Sequence, residues 1–182
     1  MRVGTKSLLF GVHQFIWHPL TVLLAWRQLY KRWPTPREAI CILIHDFGYW
    51  SLPNMDDEEG SRHPEWAYRF VLYRLRWGVN WAMFCLLHSR HYARGFGSEP
   101  SLLCWADKLS ILFDPPWFYL FRARLSGELA EYRQCAAYAG VVPLSATDSE
   151  WLAVVRERFR RIAHSRRGDV VSYVNPSARG KP

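Results

Sequence analysis

The stretch AICILI, from Ala39 to Ile44, is apolar on every face and runs directly into His45 and Asp46. A helix without a polar side has to be enclosed by other elements, so this one, Glu38 to about Phe47, is predicted to be the buried central helix. Its end then carries an imidazole and a carboxylate into the interior. Without partners, burial there costs several kcal/mol. A divalent metal removes the penalty, because it takes a neutral imidazole and an ionised carboxylate as ligands. A hydrogen-bonded His–Asp pair in the core is the alternative.

The rest of the chain supplies helical walls. Leu20 to Arg32 repeats Leu20, Leu23, Leu24 and Leu29 at helical spacing behind Pro19, and Thr35-Pro36-Arg37-Glu38 reads as an N-cap with proline at the first helical position. Further helices are predicted from Pro64 to Arg76, broken at Gly78, from Asn80 to Arg94, and from Ser101 to Phe113, stopped by Asp114-Pro115-Pro116. Two more follow, Ala123 to Tyr138 and Asp148 or Ser149 to His164. Period-two alternation is confined to Val170 to Val174, and no internal repeat occurs. The predicted fold class is all-α, one helical domain over 1–165 with a mobile tail over 166–182. The opening MRVGTKSLLFGV resembles a leader, but no small-residue cleavage site follows and His13, Gln14, His18 and Pro19 interrupt it well short of a spanning helix. It reads as a core helix, with docking on a membrane surface as the lesser alternative.

Composition narrows the partners. The net charge of +8 and a pI near 9.6 favour anionic ones. Ten tryptophans in an aromatic share of 16% point to core rings at most positions, or to a ring-lined pocket. Cys41, Cys85, Cys104 and Cys135 form no CxxC pair and read as small buried hydrophobes, which fits a reducing, cytoplasmic location. No phosphate-binding Walker loop, nucleophile elbow or dinucleotide glycine motif is present. The arginines of the last helix, Arg156, Arg158, Arg160, Arg161, Arg166 and Arg167, lack interleaved aromatics and read as a solvated face rather than a nucleic-acid patch.

His18, His63, His88 and Asp107 add four more polar groups at helix ends or inside apolar helices. Helical bundles build metal sites from such facing positions. The order His18 … His45-Asp46 … His63 … His88 … Asp107, with intervals of 27, 17, 25 and 19 residues, resembles the dinuclear H…HD…H…H…D variant of the HD-domain phosphohydrolases over about residues 13 to 115. The resemblance implies one ion on His18, His45, Asp46 and Asp107 and a second on His63 and His88, with Asp46 bridging. Two divalent ions, Fe, Mn, Co, Ni or Mg, would then hold a bridging hydroxide for attack on a phosphate. His13 competes with His18 for the first position, and His18 is preferred because it adjoins the helix start. Many relatives carry Lys or Glu just after the HD pair, where this chain has Phe47-Gly48-Tyr49-Trp50.

Around these residues Arg62, Arg90, His91, Arg94 and Lys108 form an expected basic cluster. His91 stands three residues after His88, which on one helix puts both on one face. Asp46, Arg90, His91 and Arg94 are the candidate catalytic residues, the arginines as forked phosphate donors. The loop Asp56 to Glu59 reads as solvated. The expected activity is hydrolysis of a nucleotide or other small phosphate ester. An HD-fold mixed-valent diiron oxygenase and a non-catalytic metal-binding module are the alternatives, and oligomeric state stays open.

Overall fold

Thr35 shows how local chemistry sets the elements. Its hydroxyl accepts from the Glu38 amide at 3.4 Å, while Glu38 accepts from the Thr35 amide at 2.7 Å. Arg32 closes this capping box with 2.7 Å bonds to both Glu38 oxygens. The structure, a computed structural model, describes residues 1–55 and 57–165. The expected tail, the Val170 to Val174 alternation, Asp56, Arg166 and Arg167 lie outside the described residues.

Among the described residues the chain is all-α and has no strand. The helices are α1 Val3–Phe10, α2 Trp17–Tyr30, α3 Pro36–Ile44, α4 Pro64–Arg69, α5 Val79–Leu86, α6 Arg90–Gly95, α7 Leu102–Ser110, α8 Pro116–Ser126, α9 Glu128–Tyr138 and α10 Asp148–Ser165. A π-helical turn, Phe70–Arg74, extends α4. One core, around Val22, Trp26, Ile42, Val71, Leu103 and Leu109, is enclosed by α2, α3, α5, α7 and the α4 segment. A second, around Tyr119, Leu120, Leu129, Trp151 and Leu152, joins α8, α9 and α10. α1 packs on α8 and on the turn after α3. No described helix is long and apolar enough to cross a membrane.

Several expectations change. α3 stops at Ile44 and is not enclosed all round, since Ile40 and Leu43 reach the surface. The helix expected from Asn80 to Arg94 is two, because the backbone turns extended at Ser89 and the Ser89 hydroxyl caps α6 by accepting from the His91 amide. The helix expected from Ala123 starts earlier, at Pro116, and is divided at Gly127, whose φ of 93° only glycine adopts readily. Cys135 is exposed, on a helix flanked by Arg133 and Gln134, while Cys41, Cys85 and Cys104 are buried. Only Trp26 and Trp151 of the ten tryptophans are buried. Arginines cover some of the others, Arg27 over Trp33 and Arg37 over both Trp77 and Trp81.

Candidate metal centre

Five separate segments meet at one buried point. His18 comes from the first turn of α2, Asp107 from α7, and His45 with Asp46 from the end of α3. His63 immediately precedes α4 and His88 lies just beyond α5. All six residues are buried.

Helix ends explain the aim of three of these rings. A helix leaves its last carbonyls without partners, and a histidine at that point can cap one. His45 Nδ1 lies 2.7 Å from the Ile42 carbonyl, His63 Nδ1 2.8 Å from that of Gly60, and His88 Nδ1 2.5 Å from that of Cys85, each three residues back. A carbonyl only accepts, so each Nδ1 carries a proton and the Nε2 of each ring is the atom turned inward.

The inward atoms form two donor sets that share Asp46. In the first, His18 Nε2 is 3.2 Å from Asp46 Oδ2 and 3.1 Å from Asp107 Oδ1, and His45 Nε2 is 3.1 and 3.7 Å from the same oxygens. In the second, His63 Nε2 and His88 Nε2 lie 3.6 and 3.7 Å from Asp46 Oδ1 and 3.0 Å from each other. Donors ~2.1 Å from a tetrahedral or octahedral ion stand about 3.0–3.4 Å apart; four of these seven spacings fall in that range and the three at 3.6–3.7 Å lie just beyond it. His18 Nε2, His45 Nε2 and Asp46 Oδ2 have no hydrogen-bond partner although buried. His63 Nε2 and His88 Nε2 face each other closely enough for one cation to take both as ligands. The buried His and Asp groups could therefore hold metal ions.

Neighbouring charges prepare the donors. Burial works to raise the Asp46 pKa, but His45, His13 and His18 outweigh it and hold the carboxyl well below the usual range. Burial and the adjacent His88 push His63 well below the ordinary imidazole value, so that ring stays neutral and ready to ligate. Lys108 donates to Asp107 Oδ2 at 2.9 Å, which leaves Oδ1 for the cluster.

The chain after Asp46 makes a tight 3₁₀ turn, Phe47–Tyr49. A Cβ on Gly48 would stand 1.8 Å from the His63 carbonyl oxygen, so only glycine allows the two segments to touch. Tyr49 then stacks on the His63 ring, with centroids 4.0 Å apart. The turn directly after Asp46 thus packs against a candidate ligand.

The other candidates divide. His13 is in neither donor set: its Nδ1 lies 3.0 Å from Glu128 Oε1 and its Nε2 4.0 Å from Asp46 Oδ2. Arg90 is exposed and lines a cavity of about 490 Å³ with His18, Asp107, Lys108 and Arg158. Arg94 lines a separate cavity, and the break at Ser89 leaves His91 exposed rather than on a face shared with His88. Arg62 is drawn away by Glu65, which it shares with Arg69 and Tyr92. Asp57, Glu58 and Glu59 are exposed. Arg156 is not simply solvated, because it donates to the Leu112 and Asp114 carbonyls at 2.9 and 2.7 Å.

Glu128 and Arg158 were not legible beforehand. Glu128 falls inside the helix expected from Ala123 to Tyr138, where nothing local marks it, and Arg158 reads as one of several surface arginines. No family model, no curated protein and no solved structure matches the chain.

Proposed function

We propose that this chain is an HD-type metal-dependent phosphohydrolase, cytoplasmic, that holds two divalent ions and cleaves a nucleotide or other small phosphate ester. The observation that carries the reading is the side on which the cluster opens. His18 and Asp107 form part of the wall of the 490 Å³ cavity, and Arg90, Lys108 and Arg158 line the same space. An anionic ester entering it meets cationic side chains and the donor cluster together.

Two ions on the shared donor sets would supply an activated water and neutralise the phosphoryl oxygens. The chain's own residues do the rest. Asp46 offers one oxygen to each set, and its suppressed pKa keeps it ionised at neutral pH. Lys108 fixes the rotamer of Asp107. Arg90 and Arg158 present guanidinium forks, which match phosphoryl oxygens two at a time. The ordered His and Asp series supports the HD assignment, because its six members arrive at the same buried point from five separate segments.

The test is an assay of the metal-loaded chain against nucleotides, dinucleoside polyphosphates and simple phosphate esters. Asp46→Ala should abolish turnover. Arg90→Ala should lower it about ten- to a hundredfold with metal content unchanged, the effect of losing one charge-assisted contact. A metal-loaded wild type that cleaves nothing in this panel, yet consumes oxygen with an organic substrate, overturns hydrolysis in favour of a diiron oxygenase.

A further inference from the structure

The cavity beside the cluster is built by two different parts of the chain. His18, Asp107 and Lys108 come from α2 and α7, whereas much of the remaining wall comes from α8, α9 and α10, beyond residues 13 to 115 that resemble the HD family. On α10, Trp151, Val155, Phe159 and Ile162 recur at helical spacing and all line the cavity.

The two ends of α10 differ in chemistry. Ile162 shares a neighbouring cavity with Arg90, so the C-terminal end of α10 lies at the cationic side. At the other end Trp151 stacks near-parallel with Tyr119 and Tyr132, at 6.5 and 6.4 Å between centroids. Trp151 is 3% exposed, and its Nε1–H has no hydrogen-bond partner. A buried donor in a cavity wall is satisfied when a ligand brings an acceptor. The volume is that of a small-molecule site and far exceeds what a phosphate alone fills. The α10 stripe of Val155, Phe159 and Ile162 offers a sugar's hydroxyls no partner and favours an apolar face.

We infer that the α8–α10 wall binds the organic half of the ester, a flat apolar ring system carrying a hydrogen-bond acceptor, with its phosphoryl group at the Arg90–Lys108 side. The phosphoryl half of this inference rests on the phosphohydrolase reading; the ring half does not. Calorimetric titration of the full chain with non-hydrolysable probes tests the two separately. 1-Naphthylmethylphosphonate should bind at least about tenfold tighter than methylphosphonate, from apolar burial alone. Phe159→Ala should shrink that preference at least about threefold without weakening methylphosphonate. A quinolinyl ring should bind about threefold tighter than naphthyl, and Trp151→Phe should erase that gain. Equal affinity of wild type for naphthylmethylphosphonate and methylphosphonate overturns the inference, whatever the variants do. If 1-naphthalenemethanol binds as tightly as its phosphonate, the ring site stands and the phosphoryl reading falls.

Discussion

Asp46 and Glu128 are both buried carboxylates, and the His13 ring lies between them, 4.0 Å from the first and 3.0 Å from the second. Their surroundings are finished in opposite ways. Glu128 accepts from Ser7 Oγ at 2.6 Å, the Val12 amide at 2.9 Å, His13 Nδ1 at 3.0 Å, Tyr132 Oη at 3.1 Å and Ser126 Oγ. These donors tie α1 and the turn after it to α8 and α9. Asp46 instead faces the Nε2 atoms of rings whose Nδ1 protons go to backbone carbonyls, and its Oδ2 has no hydrogen-bond partner. A polar cluster that serves folding closes on itself. One that leaves buried nitrogens and a carboxylate oxygen without hydrogen-bond partners is built to take a cation.

The largest expected effects come from crossing the two sites. Asp46→Ala should weaken metal binding by more than about 100-fold, beyond the effect of losing an outer partner, and leave the metal-free chain folded. Glu128→Ala should do the reverse. It strands a set of buried donors, so chemical denaturation should show a loss of about 3–5 kcal/mol while the folded fraction keeps its metal. Metal loss in Glu128→Ala with unchanged stability would break the distinction.

Protonation sharpens the same contrast. Burial lowers the His45 pKa, but the Asp46 and Asp107 carboxylates outweigh it and raise it to about 10 in the metal-free chain. The charged ring therefore stabilises the metal-free fold fully below its unfolded value of ~6.5, and this contribution is lost as pH rises through about 10. A metal needs the neutral ring, so uptake at pH 7 should release a proton and tighten by up to about tenfold per pH unit. Calorimetry in two buffers of different ionisation enthalpy checks this, and a buffer-independent heat contradicts it.

Backbone changes come next. Gly48→Ala forces a Cβ against the His63 carbonyl and should cost about 1–3 kcal/mol, with metal affinity falling as His63 shifts. Thr35→Ala removes half of a capping box far from either carboxylate. It should lower stability by about 1 kcal/mol and leave metal content alone.

These contrasts also divide what the sequence could reveal. The AICILI run ending in His45 and Asp46, the Thr35-Pro36 start and the ordered histidines are local signals, and local chemistry decided them. The break at Ser89 is hidden by a pattern that stays apolar through Leu87, so spacing alone places His91 on the face of His88, where the folded chain does not. Glu128 was invisible because its partners Ser7, Val12 and His13 lie more than a hundred residues away and meet it only in the folded chain. The aromatic excess gave no indication of which rings are covered. Trp151 is buried by Tyr119 and Tyr132, while Trp33, Trp50 and Trp117 remain on the surface. Cys135 departs from the other cysteines in that Arg133 and Gln134 precede it, a break in the apolar pattern on the side that faces solvent.

The central claim is that the unsatisfied cluster is a metal centre organised by Asp46. Elemental analysis tests it on wild type and Asp46→Ala, each incubated with Fe, Mn, Co, Ni or Mg and then dialysed. The account predicts about two ions per wild-type chain for at least one of these metals, and none tightly held in the variant. A variant that keeps two equivalents, or a wild type that retains none of the five, contradicts it.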